Sequence, residues 1–137
     1  AIEPSTGLYY PFVVNHLAKK MGAYVIQPEH RFYGKSQPLG KDFDFTNNNH
    51  DEASVSRKER LMSSEQAMWD AVRLLQHTRK QLGCSLTRSD EGYCPAITVG
   101  GSYPGFLAAM MRVVHFDKID MAYSASAPMK FYSQEVD

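Results

Sequence analysis

The spacing of apolar residues divides the chain into alternating helical and strand segments. Near the N-terminus, apolar residues recur at helical intervals after Pro11, and Gly22 follows as a stop signal. The residues of this apolar stripe are Phe12, Val13, Leu17, Ala18 and Met21. A strand is predicted over residues 23–27, ending at Pro28. Residues 34–60 contain two glycines, Pro38, a run of three asparagines at 47–49 and many charges, and they predict a long surface loop.

The second half of the chain continues the alternation. Ser63 and Gln66 have the spacing of a capping box and predict the start of a helix that ends near Gly83. A strand, a helix and a strand follow at residues 96–99, 106–114 and 119–124. Strands separated by helices favour right-handed crossovers, so the fold class predicted is α/β with parallel strands. Ligands bind beyond the carboxyl ends of such strands.

Composition narrows the class of protein. With 137 residues, 43% of them hydrophobic, the chain is long enough for one globular domain with a core. The 15 basic and 15 acidic residues balance, so bulk charge favours neither nucleic acid nor an anionic membrane. The apolar stretches are shorter than the roughly 20 residues of a membrane span. The chain begins at Ala1 without an initiator methionine, so we expect a piece of a longer protein.

Two cysteines, Cys84 and Cys94, flank a segment rich in turn residues. Their proximity predicts a local disulfide, which would stabilise the fold by roughly 2–3 kcal/mol in an oxidising compartment. Two free thiols are the alternative. A zinc site is disfavoured because no second pair of Cys or His residues lies at ligand spacing, and we expect neither a metal nor a cofactor.

One serine stands where a strand changes into a helix. Residues 98–109 describe a strand that ends in Gly100 and Gly101, presents Ser102, and continues as an apolar helix. This order is typical of a nucleophile elbow, in which the serine hydroxyl projects from the sheet and the next backbone N–H binds an oxyanion. A phosphate-binding Walker loop is excluded because Phe106, and not lysine, follows Gly105.

Four motifs together resemble the prolyl-type serine peptidase family that includes the lysosomal Pro-X carboxypeptidases, the dipeptidyl peptidases II and the thymus-specific serine peptidases. The motifs are PEHRFYGKSQP at 28–38, SEQA at 64–67, GGSY at 100–103 and SASAP at 124–128. The resemblance implies an α/β-hydrolase fold with an inserted helical cap. It also implies that residues 1–137 are a partial α/β-hydrolase domain, without the cap and the C-terminal half of the fold.

The resemblance assigns roles to two residues of the elbow. Ser102 is implied as the acylating nucleophile, and the backbone N–H of Tyr103 as a donor to the oxyanion hole. A serine nucleophile needs a histidine base and an acid, which follow it in the order Ser, Asp, His in α/β-hydrolases. His115 is the only histidine after Ser102, and the intervening helix is expected to carry it away. We therefore expect the acid and the base in a C-terminal part.

The motif at 28–38 supplies weaker candidates. Glu29, His30 and Arg31 are expected to form a polar network that braces the site, and a substrate-binding role for one of them is the alternative. Tyr33 is a further candidate to line a pocket. Pro104 departs from the family pattern, which has glycine there. Because a proline restricts the residue before it, we expect Tyr103 to leave the helical region and activity to be reduced or altered.

Three functions follow from these readings. The first is a serine carboxypeptidase or dipeptidyl peptidase that cleaves next to proline or small residues at a peptide terminus. The second is an esterase or lipase with the same elbow, and the third is an inactive fragment or pseudoenzyme. The resemblance implies a peptide substrate with proline near one terminus and a lysosome-like or secreted location. It also allows the full-length family member to form a dimer.

Overall fold

A computed structural model describes residues 11–40, 56 and 59–132 of the chain. The chain divides into two compact units, Ala1–Ala67 and Met68–Asp137, each with its own internal contacts. The second unit contains the sheet.

Helix α1 belongs to the first unit and begins directly after Pro11. It starts as a π-helical segment, Phe12–Leu17, and continues as an α-helical one, Ala18–Met21. Gly22 ends the helix in the left-handed conformation, with φ of 60°, and its N–H donates to the carbonyl groups of Ala18 and Lys19. The predicted helix and its glycine stop are confirmed.

Two predictions for the first unit are wrong in whole or in part. Residues 23–27 pair as a strand with none of the residues that the structure describes, and Tyr24 in this apolar run is 69% exposed. A strand exists only when a neighbouring strand accepts its hydrogen bonds, and the sequence pattern cannot supply that neighbour. Residues 34–40 form turns and irregular backbone, in agreement with a loop. Residues 56, 59 and 60 are instead helical, and Glu59 and Arg60 are straight-chain residues that favour helices. Residues 41–55, 57 and 58 lie outside the described residues.

Helix α2, Ser64–Gln81, starts directly after the predicted capping residue, Ser63. The hydroxyl of Ser63 accepts a hydrogen bond from the N–H of Gln66 at 3.1 Å, which satisfies one of the free donors of the first turn. The carbonyl of Ser63 accepts from the N–H of Ala67 at 3.1 Å. The helix start predicted from the spacing of Ser63 and Gln66 is confirmed.

The second unit contains a two-stranded parallel sheet. Strand β1, Ile97–Gly101, leads into helix α3, Tyr103–Val114, which returns the chain to strand β2, Met121–Ala125. The strands pair in parallel, with Ile97 opposite Met121 and Gly101 opposite Ala125. A short helix α4, Met129–Tyr132, follows β2. The α/β organisation with parallel strands joined by a helix is therefore present in this unit.

The core of the second unit lies where α2 and α3 meet the start of β2. Its buried residues are Met68, Val72, Met111 and Ile119. Met68 and Val72 are one helical turn apart on α2, in agreement with the apolar face of that helix. This packing fixes α3 on the sheet and, with it, the turn that joins α3 to β1.

A buried arginine fastens the cysteine segment to this core. Cys84 and Cys94 form a disulfide with a Cα–Cα distance of 5.6 Å. The Arg79 side chain, 2% exposed, donates to the carbonyl of Cys94 through Nε at 3.0 Å and Nη2 at 2.7 Å, and to the carbonyl of Lys118 at 3.1 Å. Because a buried guanidinium is stable only when its donors are paired, this cluster determines where the cysteine segment sits.

Asp120 is the acidic member of the same cluster. Its carboxylate accepts hydrogen bonds at 2.8 Å from the N–H of Ala96 and from the Tyr93 hydroxyl, and it pairs with Arg88 at 2.7 Å. Partial burial raises the pKa of the Asp120 carboxyl, but the hydrogen bonds from Ala96 and Tyr93 and the charge of Arg88 outweigh it. Its pKa is therefore lowered.

This lowered pKa predicts an acid-sensitive contribution to stability. A carboxyl whose pKa is lower in the folded state stabilises the fold above its unfolded pKa, and that stability is lost as the pH falls through the folded pKa. We expect Asp120→Asn to reduce the free energy of unfolding by about 2 kcal/mol at pH 7, the value of hydrogen bonds to a charged group. The difference from wild type should shrink below about pH 4, in urea unfolding at pH 7, 5 and 3.

Asp117→Asn is the matched control for this change. Asp117 pairs with Lys118 at 2.8 Å, but its side chain is 56% exposed. Exposed pairs contribute at most about 1 kcal/mol, so this variant should unfold close to wild type at every pH. Equal effects of the two substitutions, or an Asp120→Asn effect that does not depend on pH, would contradict the prediction.

Candidate active site

Ser102 is the single residue between β1 and α3. The strand ends at Gly101 and the helix begins at Tyr103, so the chain reverses from strand to helix at this one position. Ser102 has φ of 56° and ψ of −130°, a conformation that residues with a side chain rarely adopt. Such a backbone costs on the order of 1–3 kcal/mol and persists only where its surroundings enforce it.

Two hydrogen bonds hold the Ser102 backbone in this conformation. Its N–H donates to the carbonyl of Ala125, the last residue of β2, at 2.9 Å. Its carbonyl accepts from the N–H of Phe106 at 3.0 Å, the first hydrogen bond of α3. One side of the turn is thus fixed to the neighbouring strand and the other to the helix.

Two glycines allow the helix to approach the strands this closely. A Cβ on Gly100 would overlap the carbonyl group of Pro104, in the first turn of α3. A Cβ on Gly105 would lie 2.9 Å from the carbonyl oxygen of Ala125 and 3.1 Å from that of Gly100. All of these atoms belong to the backbone and cannot rotate away, so both positions require glycine.

The Ser102 side chain is exposed, and it makes no capping hydrogen bond to α3. Most serines that precede a helix cap it with their hydroxyl, which accepts from the N–H groups of the first turn. Here the Ser102 hydroxyl accepts no such hydrogen bond from the first turn of α3. The partial positive charge of the helix N-terminus lies beside this exposed hydroxyl, an arrangement that favours a negatively charged oxygen nearby.

Pro104 is accommodated without the displacement expected from the sequence. Helix α3 starts at Tyr103, so the residue before the proline is already helical, contrary to the expectation that the ring would exclude it. Proline is well tolerated in the first turn of a helix, where its missing N–H has no helical partner. The close contact between α3 and Gly100 fixes this turn and outweighs the local preference of the residue before proline.

His115 lies at the opposite end of α3. It follows the last residue of that helix, and twelve helical residues span about 18 Å. The residue is 6% exposed, and its ring packs edge-on against Trp69 with 4.7 Å between the ring centroids. A base must lie within hydrogen-bond reach of the serine, so His115 does not serve Ser102. Trp69 is a packing partner of this histidine.

Glu29 organises a turn in the first unit. Its carboxylate accepts hydrogen bonds from the N–H groups of Lys35 and Ser36 at 3.0 and 2.8 Å, and from the Ser36 hydroxyl at 2.7 Å. The hydrogen bond from the Ser36 side chain is the main cause that lowers the pKa of Glu29. A Cβ on Gly34 would overlap this carboxylate. Glu29 therefore braces its own loop.

The neighbouring polar residues of this motif also contact backbone. The guanidinium of Arg31 donates to the carbonyl of Leu61 at 2.9 Å. Nδ1 of His30 lies 2.7 Å from the Arg31 carbonyl oxygen, and its ring meets that of Tyr33 edge-on at 5.3 Å. Tyr33 is exposed. These contacts stabilise the loop of the motif itself. That Glu29, His30 and Arg31 brace the site, or that one of them binds substrate, stays a prediction.

Sequence reasoning did not identify the hydroxyl groups that join the strands to α3. Ser124 donates to the carbonyl of Gly105 at 2.9 Å, and Thr98 donates to the carbonyl of Ala108 at 3.1 Å. Ser124 lies in the motif at 124–128, but nothing in the motif indicates which backbone group its hydroxyl meets. That partner depends on how closely α3 approaches the sheet.

The described residues contain neither a metal-binding cluster nor a membrane-spanning helix. Among them, no cluster of three or more His, Cys, Asp or Glu side chains could hold a metal ion. Within the same part of the chain, every helix is too short or too polar to cross a bilayer.

Known proteins are similar in sequence to this chain over most of its length. The family profile described as serine carboxypeptidase S28 matches residues 3–136. Lysosomal Pro-X carboxypeptidase of Mus musculus is 33% identical over 113 residues, 82% of this chain and 20% of that relative. Prolyl carboxy peptidase like protein 5 of Caenorhabditis elegans is 33% identical over 117 residues, 85% of this chain and 20% of that relative.

A probable serine protease of Arabidopsis thaliana is 32% identical over 111 residues, 80% of this chain and 20% of that relative. The chain spans about a fifth of the length of these curated relatives. The match includes the segment in which Ser102 stands between a strand and a helix. The chain therefore belongs to the serine carboxypeptidase S28 family, a family of serine peptidases.

Proposed function

We propose that Ser102 is the nucleophile of a serine exopeptidase that cleaves next to proline or small residues. The observation that carries this proposal is the backbone of Ser102, with its positive φ, at an exposed strand-to-helix turn. The position of Ser102 supports a nucleophile elbow, a turn that presents a serine hydroxyl to a substrate above the sheet edge. The names of the relatives, which include Pro-X carboxypeptidase, support the substrate class.

The proposed reaction passes through an acyl-enzyme. The Ser102 Oγ bonds to the scissile carbonyl carbon while its proton passes to a histidine base, and the carbonyl becomes an oxyanion. The N–H of Tyr103 at the start of α3 stabilises that oxyanion. The tetrahedral intermediate then expels the amine, which takes the proton from the histidine. Water attacks the ester by the same route and regenerates the serine.

The base and the acid are proposed to come from residues beyond this chain. His115 is the only histidine after Ser102, and it lies at the far end of α3. We therefore propose that residues 1–137 are part of an α/β-hydrolase domain, whose cap and C-terminal half complete the site. The length of the relatives supports this proposal, since the chain spans about a fifth of them. The downstream reading frame should encode an aspartate followed by a histidine.

The location of the protein is part of the same proposal. A lysosome-like compartment or secretion is supported by the name of the mammalian relatives and by the Cys84–Cys94 disulfide. Disulfides persist in oxidising compartments and are rare in the cytosol. A dimer of the full-length protein stays a prediction.

A fluorophosphonate probe tests the function directly. We expect the full-length protein to be labelled at Ser102 and residues 1–137 alone to remain unlabelled, because an unassisted serine is a poor nucleophile. Full-length protein should then release the last residue from peptides ending in Pro-X, or a dipeptide from peptides with proline second. Labelling with turnover of esters alone would identify an esterase. Labelling of neither form would identify a pseudoenzyme.

Pro104 provides a separate prediction. Because α3 begins at Tyr103 in spite of the proline, we expect Pro104→Gly to leave turnover within about threefold of wild type. The substitution should lower the free energy of unfolding by about 1 kcal/mol, since glycine has more freedom in the unfolded chain. A hundredfold gain in kcat would show instead that the proline displaces an oxyanion donor, as the sequence alone suggested.

A further inference from the structure

Two strand hydroxyls are bonded to successive turns of α3. Thr98 of β1 donates to the carbonyl of Ala108 at 3.1 Å and lies 3.4 Å from that of Met121. Ser124 of β2 donates to the carbonyl of Gly105 at 2.9 Å. These carbonyls are three residues apart, so they lie on the same side of the helix, toward the sheet. Each hydroxyl ties one turn of the helix to one strand.

The hydrogen bonds from Thr98 and Ser124 differ in their distance from the proposed oxyanion site. Gly105 is two residues after Tyr103, in the first turn of α3, whereas Ala108 is one turn further along. Ser124 pairs with Gly100 across the sheet, and Gly100 has no side chain to separate it from the helix. The Ser124 hydroxyl therefore acts at the start of α3, next to the turn that presents Ser102.

The backbone on the other side of the turn is fixed to the same segment of β2. The N–H of Ser102 donates to the carbonyl of Ala125, which directly follows Ser124. Two adjacent residues of β2 thus hold both sides of the Ser102 turn, one through its carbonyl and one through its hydroxyl. The carbonyl is present whatever residue occupies position 125, so the hydroxyl of Ser124 is the part that a substitution removes.

From this arrangement we infer that Ser124 is a positioning residue for the acylation step. Its hydrogen bond to the Gly105 carbonyl fixes the first turn of α3 and thereby the direction of the Tyr103 N–H toward the oxyanion. Ser124 touches neither substrate nor the reacting atoms in this role. The inference rests on the proposed function, because it concerns the rate at which Ser102 is acylated.

The inference is tested in the full-length protein with Ser124→Ala, Ser124→Thr and the matched control Thr98→Val. Ser124→Ala should slow fluorophosphonate labelling of Ser102 and lower kcat about tenfold, with KM within about twofold of wild type. A misdirected donor costs less than the hundredfold or more of a lost one. Ser124→Thr keeps the hydroxyl and should restore both rates. Thr98→Val removes the hydrogen bond to the Ala108 carbonyl and should leave the labelling rate and kcat within about twofold of wild type.

Amide hydrogen exchange provides a readout that does not depend on activity. In Ser124→Ala, exchange should accelerate in the peptide that covers residues 103–109, and it should stay slower there in Ser124→Thr. Unchanged exchange and unchanged labelling in Ser124→Ala would overturn the inference, as would an equal loss of rate in Thr98→Val. If wild-type Ser102 is not labelled, the proposed function fails. The exchange measurement then still decides whether Ser124 holds the first turn.

Discussion

Replacing Ser102 by alanine should abolish acylation and leave the fold intact. Without Oγ there is no atom to bond to the scissile carbonyl, and kcat/KM should fall by at least about ten-thousandfold in the full-length protein. Fluorophosphonate labelling should disappear. The side chain makes no capping hydrogen bond to α3, so the thermal midpoint of Ser102→Ala should match that of wild type.

Ser102→Gly separates the role of the hydroxyl from the strain of the backbone. Glycine adopts φ of 56° and ψ of −130° without the cost that a side chain imposes there. We expect this variant to be as inactive as Ser102→Ala, but more stable by about 1 kcal/mol after the greater freedom of unfolded glycine is allowed for. Peptidase activity that survives either substitution would show that another residue is the nucleophile.

Gly100→Ala should disable the site without touching any reacting group. The new Cβ would overlap the carbonyl of Pro104, so the first turn of α3 must move away from β1. That movement shifts the Tyr103 N–H, and we expect the labelling rate of Ser102 to fall at least about a hundredfold. The free energy of unfolding should decrease by about 3 kcal/mol, at the upper end of the range for overpacking.

Gly83→Ala is the control for this substitution. Gly83 has φ of 73°, and a Cβ there would meet nothing within 4 Å. The change should cost about 1–2 kcal/mol from the left-handed backbone alone and leave the labelling of Ser102 unchanged. Gly100→Ala protein with a wild-type rate of labelling would show that α3 can move without affecting the oxyanion site, against this prediction.

The sequence predicted the features that depend on neighbours along the chain. Gly22 ends α1 because a glycine adopts the left-handed conformation at low cost, and Ser63 caps α2 because its hydroxyl reaches an N–H three residues later. The strand, serine and helix of residues 97–114 are likewise set by local apolar patterns and glycines. These signals identified Ser102 as the candidate nucleophile without knowledge of the tertiary structure.

Local sequence patterns gave wrong predictions where a residue distant in sequence determines the backbone conformation. Residues 23–27 have the pattern of a strand, yet a strand needs the hydrogen bonds of a neighbour, and none of the described residues provides them. Local rules also predicted that Pro104 would move Tyr103 out of the helical region. The packing of α3 against Gly100 determines the start of the helix instead.

The sequence by itself determined which residue stands between a strand and a helix, and it predicted that the proposed chemistry centres on the hydroxyl of that residue, Ser102. Only the tertiary structure decided what holds the strained backbone of Ser102: the Ala125 carbonyl, more than twenty residues further along the chain, and the close approach of α3 to Gly100. The physical reason is that caps and turns are formed by neighbouring residues, whereas strain is maintained by hydrogen bonds and close contacts that exist only after the strands pair and the helix packs on them.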